Sequence, residues 1–494
     1  MPDVFLRVNN IYKSFAGVKA LRNVNMTLNY GEARCLVGEN GCGKSTLIKV
    51  ISGVYKPDSG TIELNGKTYE KLEPMESIEN GIQVIYQDFS VFPNLTVAEN
   101  IAMNTLRAEK AKLVNWKTIR RTAQEALDRI GVKMDLETNI EKLSVADRQL
   151  IAICRSLLND VKLIIMDEPT TALTKKEVNS LLNIIRNLKK DGISTIFVSH
   201  KLDEVMEVSD TVTIMRNGEV VADGEVKDFD MSKFVYYMTG REVTTEKFVP
   251  TYEDQSELLR VENLSAKGGF KDISFTLNKG DVFGITGLLG SGRSELAQTL
   301  FGYYRATAGN IYINGVKTEI KNITDAMDEH IGYVPEDRLT QGLFLSQPIK
   351  INLLASVLDV YTKKMQLMDK EGQQEAVDKQ VHDLAIKTPD VDNLVSTLSG
   401  GNQQRVVLGK WLATLPQILI LNCPTVGVDI GSKEEIHNII KKLANAGMGI
   451  IIISDDVPEV MNTCNKVAVM KKGRLINTYT HDEVTEEQLS SELS

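Results

Sequence analysis

Gly-Glu-Asn-Gly-Cys-Gly-Lys-Ser, at residues 38–45, completes the pattern G-x-x-x-x-G-K-[ST] and decides the fold of this chain. Glycines at these positions let the backbone curl so that its N–H groups, and the N-terminus of the helix that follows, face a phosphate group. The apolar run 33–37 is typical of a buried strand entering the loop, and residues 46–51 open a predicted helix. The sequence therefore predicts a strand, a phosphate-binding loop and a helix in succession.

Every residue of this loop is a candidate nucleotide contact. We expect Lys44 to place a point charge at the β- and γ-phosphates, and Ser45 to supply a hydroxyl ligand to Mg²⁺. The predicted contacts are Gly38, Glu39, Asn40, Gly41, Cys42, Gly43, Lys44, Ser45 and Thr46.

Cys42 lies inside the loop, close to a helix N-terminus and to Lys44, and both neighbours favour a thiolate. We therefore expect a maleimide to modify Cys42 and bound nucleotide to protect it. Cys423 is the alternative target, whereas Cys35 and Cys154 are expected in the core, where free cysteines usually lie.

The loop pattern returns in weakened form at 287–294, as Gly-Leu-Leu-Gly-Ser-Gly-Arg-Ser. Leu6-Arg7-Val8 likewise returns at 259–261. The interval between this triplet and the loop is shorter in the second half, which has no counterpart of residues 12–15. The repeat predicts two domains of the same plan.

We place the first domain at 1–240 and the second at 258–494. The stretch 241–257 between them is polar and has no apolar periodicity, so it is interpreted as a linker.

Short apolar runs alternate with helical patterns in both halves. The runs 163–166, 196–198 and 450–453 are β-rich and apolar throughout, which is typical of parallel strands buried on both faces. Apolar residues recur with helical spacing over 116–130. The chain is therefore expected to adopt an α/β fold.

The composition is that of an ordinary globular protein. The chain has 494 residues, of which 42% are hydrophobic and 25% are charged, and its net charge is −9. An acidic balance argues against a nucleic-acid partner. Five cysteines without C-x-x-C spacing predict neither a disulfide framework nor a zinc site, and a reducing cytoplasm is the simplest compartment. Apolar runs are too short to span a bilayer, so membrane association is expected through a partner.

Two carboxylates follow the apolar run 163–166. Ligands of α/β proteins bind at the carboxyl ends of the parallel strands, so these carboxylates are expected at a binding site. We expect Asp167 to hold Mg²⁺ beside Ser45, and Glu168 to orient and polarise the attacking water. His200 follows the next strand and is placed to contact the γ-phosphate or the water. A solvated acidic turn and a surface histidine are the alternatives.

These residues resemble the ATP-binding-cassette family over almost the whole chain. Gln87, after Val84-Ile85-Tyr86, looks like the glutamine of the family's Q-loop, and His200 like its switch histidine. The resemblance implies that Gln87 contributes to catalysis and to the metal site, and that Phe15 stacks on adenine, with Tyr12 as the alternative. Leu398-Ser399-Gly400-Gly401-Asn402-Gln403-Gln404 resembles the family's signature motif, whose Ser399, Gly400 and Gly401 would grip the γ-phosphate.

The resemblance implies two tandem P-loop NTPase (ABC ATPase) domains that use ATP and Mg²⁺. Each would have a RecA-like parallel-sheet core, an antiparallel β subdomain and a helical subdomain. Family members hold ATP between the phosphate loop of one cassette and the signature of another, so the two halves of this chain are expected to pair head to tail.

The two halves depart from the family pattern in complementary ways. The first has the full catalytic set but a damaged signature at 143–149, where side chains replace both glycines. The second has an intact signature, and its catalytic set carries Arg293, Glu336, Asn422, Cys423 and Asp455 instead of Lys, Gln, Asp, Glu and His. Crossed pairing then predicts one hydrolytic site, made by the first phosphate loop and the second signature. The other site either holds nucleotide without hydrolysis or serves as a scaffold.

Within the family, the twin cassettes, the stretch 334–338 and Gly427-Val428-Asp429 resemble the fused ATPase subunits of monosaccharide importers. That likeness implies a peripheral protein at the cytoplasmic face of the cell membrane, bound to two permease subunits and served by an extracytoplasmic sugar-binding protein. Ribose, galactose, xylose, a related pentose or a nucleoside all remain open as the transported solute. A soluble twin-cassette regulator that binds ribosomes is the alternative from another class; a DNA-repair cassette would need zinc-type cysteine pairs.

Overall fold

The computed structural model describes residues 4–15, 17–86, 91–108, 114–158, 160–170, 173, 175–199, 202–240, 247–362 and 368–493. The chain divides into two compact units, residues 1–243 and 244–494. Gln87 and His200 lie outside the described residues.

The first unit contains helices and both antiparallel and parallel pairs of strands. In chain order its elements are β1 (Val4–Phe15), β2 (Val18–Asn29), β3 (Ala33–Val37), α1 (Lys44–Ile51), β4 (Ser59–Leu64), β5 (Lys67–Tyr69), α2 (Pro74–Glu79), β6 (Ile82–Ile85), α3 (Val97–Ala108), α4 (Trp116–Ile130), α5 (Val145–Ser156), β7 (Leu163–Asp167), α6 (Lys175–Lys190), β8 (Ser194–Val198), α7 (Leu202–Val208), β9 (Thr211–Arg216), β10 (Glu219–Glu225) and α8 (Met231–Thr239).

The strands form two sheets. Antiparallel strands in the order β2-β1-β4-β5 make one sheet, and the other has the order β10-β9-β3-β8-β7-β6. In the second sheet all neighbours from β9 to β6 are parallel. The strand β3 is buried along its whole length, as is β8, which confirms the predicted parallel core.

Helices α3, α4 and α5 enclose a separate apolar cluster. Helix α4 begins after Asn115, whose side chain accepts the N–H of Thr118, and ends at Gly131 in the left-handed conformation, φ 71°. Its buried side chains are Ile119, Ala123, Ala126 and Leu127. The amphipathic helix predicted for this segment is confirmed.

The second unit repeats this plan. Its elements are β11 (Glu257–Ala266), β12 (Phe270–Asn278), β13 (Val282–Thr286), α9 (Arg293–Leu300), β14 (Ala308–Ile313), β15 (Val316–Thr318), α10 (Ile323–Asp328), β16 (Ile331–Val334), α11 (Ile349–Leu354), α12 (Lys370–Asp383), α13 (Gly400–Leu412), β17 (Ile418–Asn422), α14 (Ile430–Asn445), β18 (Gly449–Ser454), α15 (Val457–Thr463), β19 (Lys466–Lys471), β20 (Arg474–Thr480) and α16 (Glu486–Leu493).

Its sheets have the orders β12-β11-β14-β15 and β20-β19-β13-β18-β17-β16, so the strand order of the first unit recurs strand for strand. The hairpin differs: β1 and β2 pair as far as Phe15 and Val18, whereas β11 and β12 pair only as far as Ala266 and Phe270. The shortening expected from the sequence lies at the hairpin tip.

Part of the predicted linker packs on the second unit. Phe248 is 4% exposed and belongs to its apolar core, and the N–H of Thr251 donates to Asn445 Oδ1 at 3.0 Å. Residues 241–246 lie outside the described part of the chain.

Of the helices among the described residues, none combines the length and the apolar character that a membrane crossing needs.

Candidate functional site

The first phosphate loop joins β3 to α1, and two of its glycines are required by close contacts. A Cβ on Gly38 would lie 2.3 Å from the carbonyl oxygen of Met215, and one on Gly43 would lie 2.6 Å from that of Ala20. Gly43 also has φ 110°, in the left-handed region. The strands β2 and β9 therefore press directly on the loop and fix its curl.

Lys44 is held by the loop that it serves. Its Nζ donates to the carbonyl oxygens of Gly38 and Glu39 at 2.7 Å and 2.9 Å, and the side chain is 6% exposed. The loop thus holds a positive charge against the curled backbone, where the predicted phosphate contact requires it.

Ser45 and Asp167 meet as predicted for a magnesium site. Ser45 Oγ donates to Asp167 Oδ2 at 3.2 Å. Partial burial raises the pKa of Asp167 above its usual value, while the hydrogen bond from Ser45 and the charge of Lys44 act in the opposite direction. A cation at this carboxylate would offset the cost of its burial.

The donor set fits Mg²⁺, because hydroxyl and carboxylate oxygens are the ligands that this ion prefers. Within the described part of the chain, no group of three or more His, Cys, Asp or Glu residues could hold a metal by itself. A magnesium ion bound by nucleotide phosphates and water needs only one or two protein ligands.

Glu168 follows Asp167 in a strained backbone conformation. Its φ is 48°, and its N–H donates to the carbonyl oxygen of Val198 at 3.2 Å. Cys423 has the same geometry in the second unit, with φ 49° and a 2.7 Å hydrogen bond to Ile453. Both units thus have the same left-handed backbone at the residue that follows β7 or β17, and they differ in its side chain.

Glu204 stabilises the sheet edge that carries Glu168. This carboxylate is 7% exposed and accepts hydrogen bonds from Thr170 Oγ1 at 2.6 Å and Ser199 Oγ at 3.3 Å. It therefore connects the loop after β7 with the end of β8, immediately before His200.

Phe15 lies at the tip of the β1–β2 hairpin and is 39% exposed. Its ring contacts Tyr55 edge to face, with 5.1 Å between the centroids, and Lys13 Nζ lies 5.3 Å from the ring centre. Tyr12 is exposed to a similar extent, 42%. Both predicted adenine contacts are thus solvent-accessible aromatic rings.

The cation of the second phosphate loop, Arg293, lies close to a carboxylate of the same unit. Arg293 Nη1 donates to the carbonyl oxygen of Gly287, and Nη2 lies 3.5 Å from Asp455 Oδ1. The guanidinium is 5% exposed, whereas the Asp455 side chain is 60% exposed. A carboxylate of the protein thus contacts the group that replaces the phosphate-binding lysine.

The positions at the end of β17 in the second unit also differ from their counterparts Asp167 and Glu168 in the first. Asn422 is buried, and its Nδ2 donates to Tyr333 Oη at 3.3 Å. Burial raises the pKa of Cys423 to about 12, and the negative charges of Glu336 and Asp455 act in the same direction. Arg293 acts in the opposite direction on this pKa, so the site combines a neutral amide and a protonated thiol with charges of both signs.

The expectation that the loop favours a thiolate at Cys42 is wrong. The side chain is 5% exposed, and desolvation raises the pKa of the Cys42 thiol despite the opposing charge of Lys44. Burial thus outweighs the neighbouring positive charge. Cys35 and Cys154 are buried core residues, as expected.

The two signature segments use their serines differently. Ser144 Oγ accepts the N–H of Asp147 at 3.1 Å and donates to Asp147 Oδ2 at 2.9 Å, so the hydroxyl caps its own helix α5. Ser399 precedes α13 without such a cap, and its Oγ accepts from Asn402 Nδ2 at 3.0 Å. The Ser399 hydroxyl proton and the α13 N-terminus are therefore available to an anion.

The signature glycines also make room inside their own unit. A Cβ on Gly401 would lie 2.3 Å from Ser432 Oγ, and one on Gly400 would lie 2.9 Å from Arg338 Nη2. Packing within the unit is thus by itself a reason for glycine at these positions.

The sequence did not predict three features of these sites: the cap by Asp147, the Arg293–Asp455 ion pair and the position of Arg338. Only the Asp147 cap has a sequence signal, because serine followed three residues later by an acidic residue is typical of a helix N-terminus.

Two units that each join a parallel sheet, a glycine-rich loop and a helix define a nucleotide-binding protein with duplicated phosphate loops. A family model described as "ABC transporter" matches residues 21–171 and 270–426. The chain therefore belongs to the ABC transporter family, as its motifs predicted.

Curated relatives match over nearly the full length. A ribose import ATP-binding protein, RbsA, of Clostridium perfringens (strain 13 / Type A) is 40% identical over 98% of this chain and 97% of its own. The RbsA of Bacillus licheniformis is 38% identical over 98% of both chains. The galactose/methyl galactoside import ATP-binding protein MglA 1 of Photobacterium profundum is 38% identical over 99% of both.

Single cassettes of solved structure match about half of the chain. One, an ATP-binding cassette of an ABC transporter in its ADP conformation, is 29% identical over 48% of this chain and 99% of its own, with a TM-score of 0.44.

Proposed function

We propose that this chain is the ATP-hydrolysing subunit that energises import of a monosaccharide through a membrane transporter. Its full-length relatives are named as ribose or galactose import ATP-binding proteins. The observation that carries the proposal is the 3.2 Å contact between Ser45 and Asp167, beside the buried Lys44 and the strained Glu168. The second unit has no equivalent set.

One competent ATP site is completed by the second signature. The Ser399 hydroxyl and the N–H groups of Gly400 and Gly401 lie at the N-terminus of α13, which the Ser399 side chain does not cap. The Ser144 hydroxyl, in contrast, is hydrogen-bonded to Asp147. We therefore expect an anion to bind at the second signature in preference to the first. The intact parts of both halves belong to one site, and the altered parts belong to another.

Each residue of the competent site has a defined role. Lys44 and the loop N–H groups hold the β- and γ-phosphates, and Phe15 stacks on the adenine. Ser45, Asp167 and Gln87 would hold the Mg²⁺ that binds with ATP, and the ion would neutralise phosphate charge. Glu168 orients the water for attack on the γ-phosphorus, and His200 contacts the γ-phosphate or that water.

The chain works at the cytoplasmic face of the membrane, bound to two permease subunits, and an extracytoplasmic binding protein delivers the sugar. Ribose and galactose are the first solutes to test, because the relatives are named for them. Import of a nucleoside or another small solute is the second candidate. A soluble ribosome-associated ATPase finds no support among these relatives.

The hydrolytic assignment is tested with Glu168→Gln and Lys44→Ala in the full chain. We expect Glu168→Gln to bind ATP and to lose steady-state turnover by more than about tenfold, because a group that orients the nucleophile is removed. Lys44→Ala is expected to weaken ATP binding itself. The matched control is Glu207→Gln, which changes an exposed carboxylate of the same unit that pairs with Arg186.

Retention of more than about a tenth of the activity in Glu168→Gln would refute this role of the residue. Uptake of labelled ribose, galactose and a nucleoside into cells that carry each variant tests the transported class. Copurification with ribosomes instead of permeases would refute the transporter function.

A further inference from the structure

Arg338 joins three backbone segments of the second unit. It lies in a short helical turn that Asp337 caps, since Asp337 Oδ1 accepts the N–H groups of Leu339 and Thr340 at 2.9 Å and 3.2 Å. From there Nη1 donates to the carbonyl oxygen of Val426 at 2.6 Å, and Nη2 donates to that of Gly427 at 2.9 Å. The turn after β16 is thereby tied to the loop that follows Cys423.

The same guanidinium lies against the first residue of α13. A Cβ on Gly400 would lie 2.9 Å from both Arg338 Nη2 and the Gly427 carbonyl oxygen. Gly427 has φ +67°, and its own Cβ would lie 3.1 Å from Arg338 Nη1. Glycine at these two positions therefore lets one guanidinium contact the helix N-terminus and the loop together.

Arginine suits this position better than lysine. Its planar group donates to two successive carbonyl oxygens in a fixed geometry, whereas a lysine ammonium is a flexible point charge. The group is also a permanent positive charge behind the N-terminus of α13, and it adds to the field that the helix presents to an anion.

We propose that Arg338 is a positioning residue for ATP hydrolysis, because it holds Ser399, Gly400 and the 426–427 loop in the arrangement that grips the γ-phosphate. This inference rests on the proposed function, in which the second signature completes the ATP site of the first phosphate loop. Arg338 does not touch the reacting atoms. It acts through the N-terminus of α13.

The test compares Arg338→Lys and Arg338→Ala with Arg474→Ala in the full chain. Arg474 is the matched control, because it belongs to the same unit and forms an exposed ion pair with Asp272. Both Arg338 variants are expected to raise the KM for ATP, Arg338→Ala on the order of tenfold and Arg338→Lys less, because the donors to the γ-phosphate lose their alignment. The inhibition constant for ADP should not change, because ADP has no γ-phosphate.

A purely structural role would lower Tm and kcat and leave the KM for ATP unchanged. That result, or an equal loss of ATP and ADP affinity, would overturn the assignment. Arg338→Lys keeps the test decisive if Arg338→Ala does not fold.

Ser399→Arg in the same assay separates this inference from the proposed function. If Ser399→Arg abolishes turnover and the Arg338 variants keep the normal KM, only the role of Arg338 is wrong. If Ser399→Arg keeps full turnover, the second signature does not complete the site, and both are wrong.

Discussion

Replacing Asp455 with asparagine should strengthen nucleotide binding to the second phosphate loop. Asp455 Oδ1 lies 3.5 Å from Arg293 Nη2, so an incoming phosphate must displace a protein carboxylate from its cation. Asp455→Asn keeps the size of the side chain and removes the charge. The substitution therefore tests whether the ion pair, rather than the shape of the loop, limits nucleotide affinity.

The magnitude follows from the distance and the exposure of the pair. Two unit charges 3.5 Å apart attract by about 1 kcal/mol in water and by about 5 kcal/mol at an effective dielectric constant of 20. Because the Asp455 side chain is 60% exposed, solvent screening places the value near the lower limit. A gain of about 1 kcal/mol corresponds to a roughly fivefold increase in affinity.

The assay is a titration with a fluorescent ATP analogue in a Lys44→Ala background, which weakens the contribution of the first loop. Asp272→Asn is the matched control, because Asp272 forms a 3.3 Å ion pair with Arg474 in the same unit. Repeating the titration at high salt should reduce the gain, because salt screens exposed charges. If the affinity for nucleotide stays the same or falls in Asp455→Asn, the ion pair does not limit that affinity. The limit would then come from the geometry of the loop or from Asn422.

Two further predictions concern the signatures and the loop cysteine. Ser399→Arg should reduce ATPase turnover by more than about tenfold. Ser144→Arg should leave most of the turnover intact, because the Ser144 hydroxyl already bonds to Asp147. Steady-state ATPase rates measure both effects, and a larger loss in Ser144→Arg would contradict the crossed arrangement. Burial raises the pKa of Cys42, so a smaller fraction of the thiol is ionised at a given pH. Maleimide should therefore label Cys42 at pH 7 at least about tenfold more slowly in the native chain than in urea, and labelling should become faster as the pH rises. Rapid labelling of native Cys42, mapped by peptide analysis, would contradict its burial.

Local pattern was sufficient to predict much of the architecture. The strand before Lys44, the parallel core and the helix at 116–130 each follow from periodicity within one segment, and the structure confirms them. The shorter second hairpin was likewise predictable, because a loss of residues between two repeated landmarks must shorten the elements between them.

The remaining features of the site depend on contacts between segments that are distant in sequence. Nothing near Arg293 indicates that Asp455 contacts it, and nothing near Arg338 indicates that its donors reach the 426–427 loop. The error over Cys42 has a similar origin. Sequence identified the charge of Lys44 that favours a thiolate, but the burial that opposes it comes from packing of the whole loop.

In both altered segments a protein carboxylate contacts a group that is predicted to bind phosphate in the intact counterpart. Asp147 bonds to the serine and the first turn of α5, and Asp455 pairs with Arg293 in the second loop. A helix N-terminus and a buried guanidinium are both stabilised by a negative partner, and each of these two segments receives one from its own unit. In the intact segments the observed partners are neutral: Lys44 Nζ donates to the carbonyl oxygens of Gly38 and Glu39 at 2.7 Å and 2.9 Å, and the Ser399 side chain does not cap α13. The proposed function accounts for this difference, because a group that releases and rebinds phosphate in every cycle cannot be neutralised permanently by its own chain.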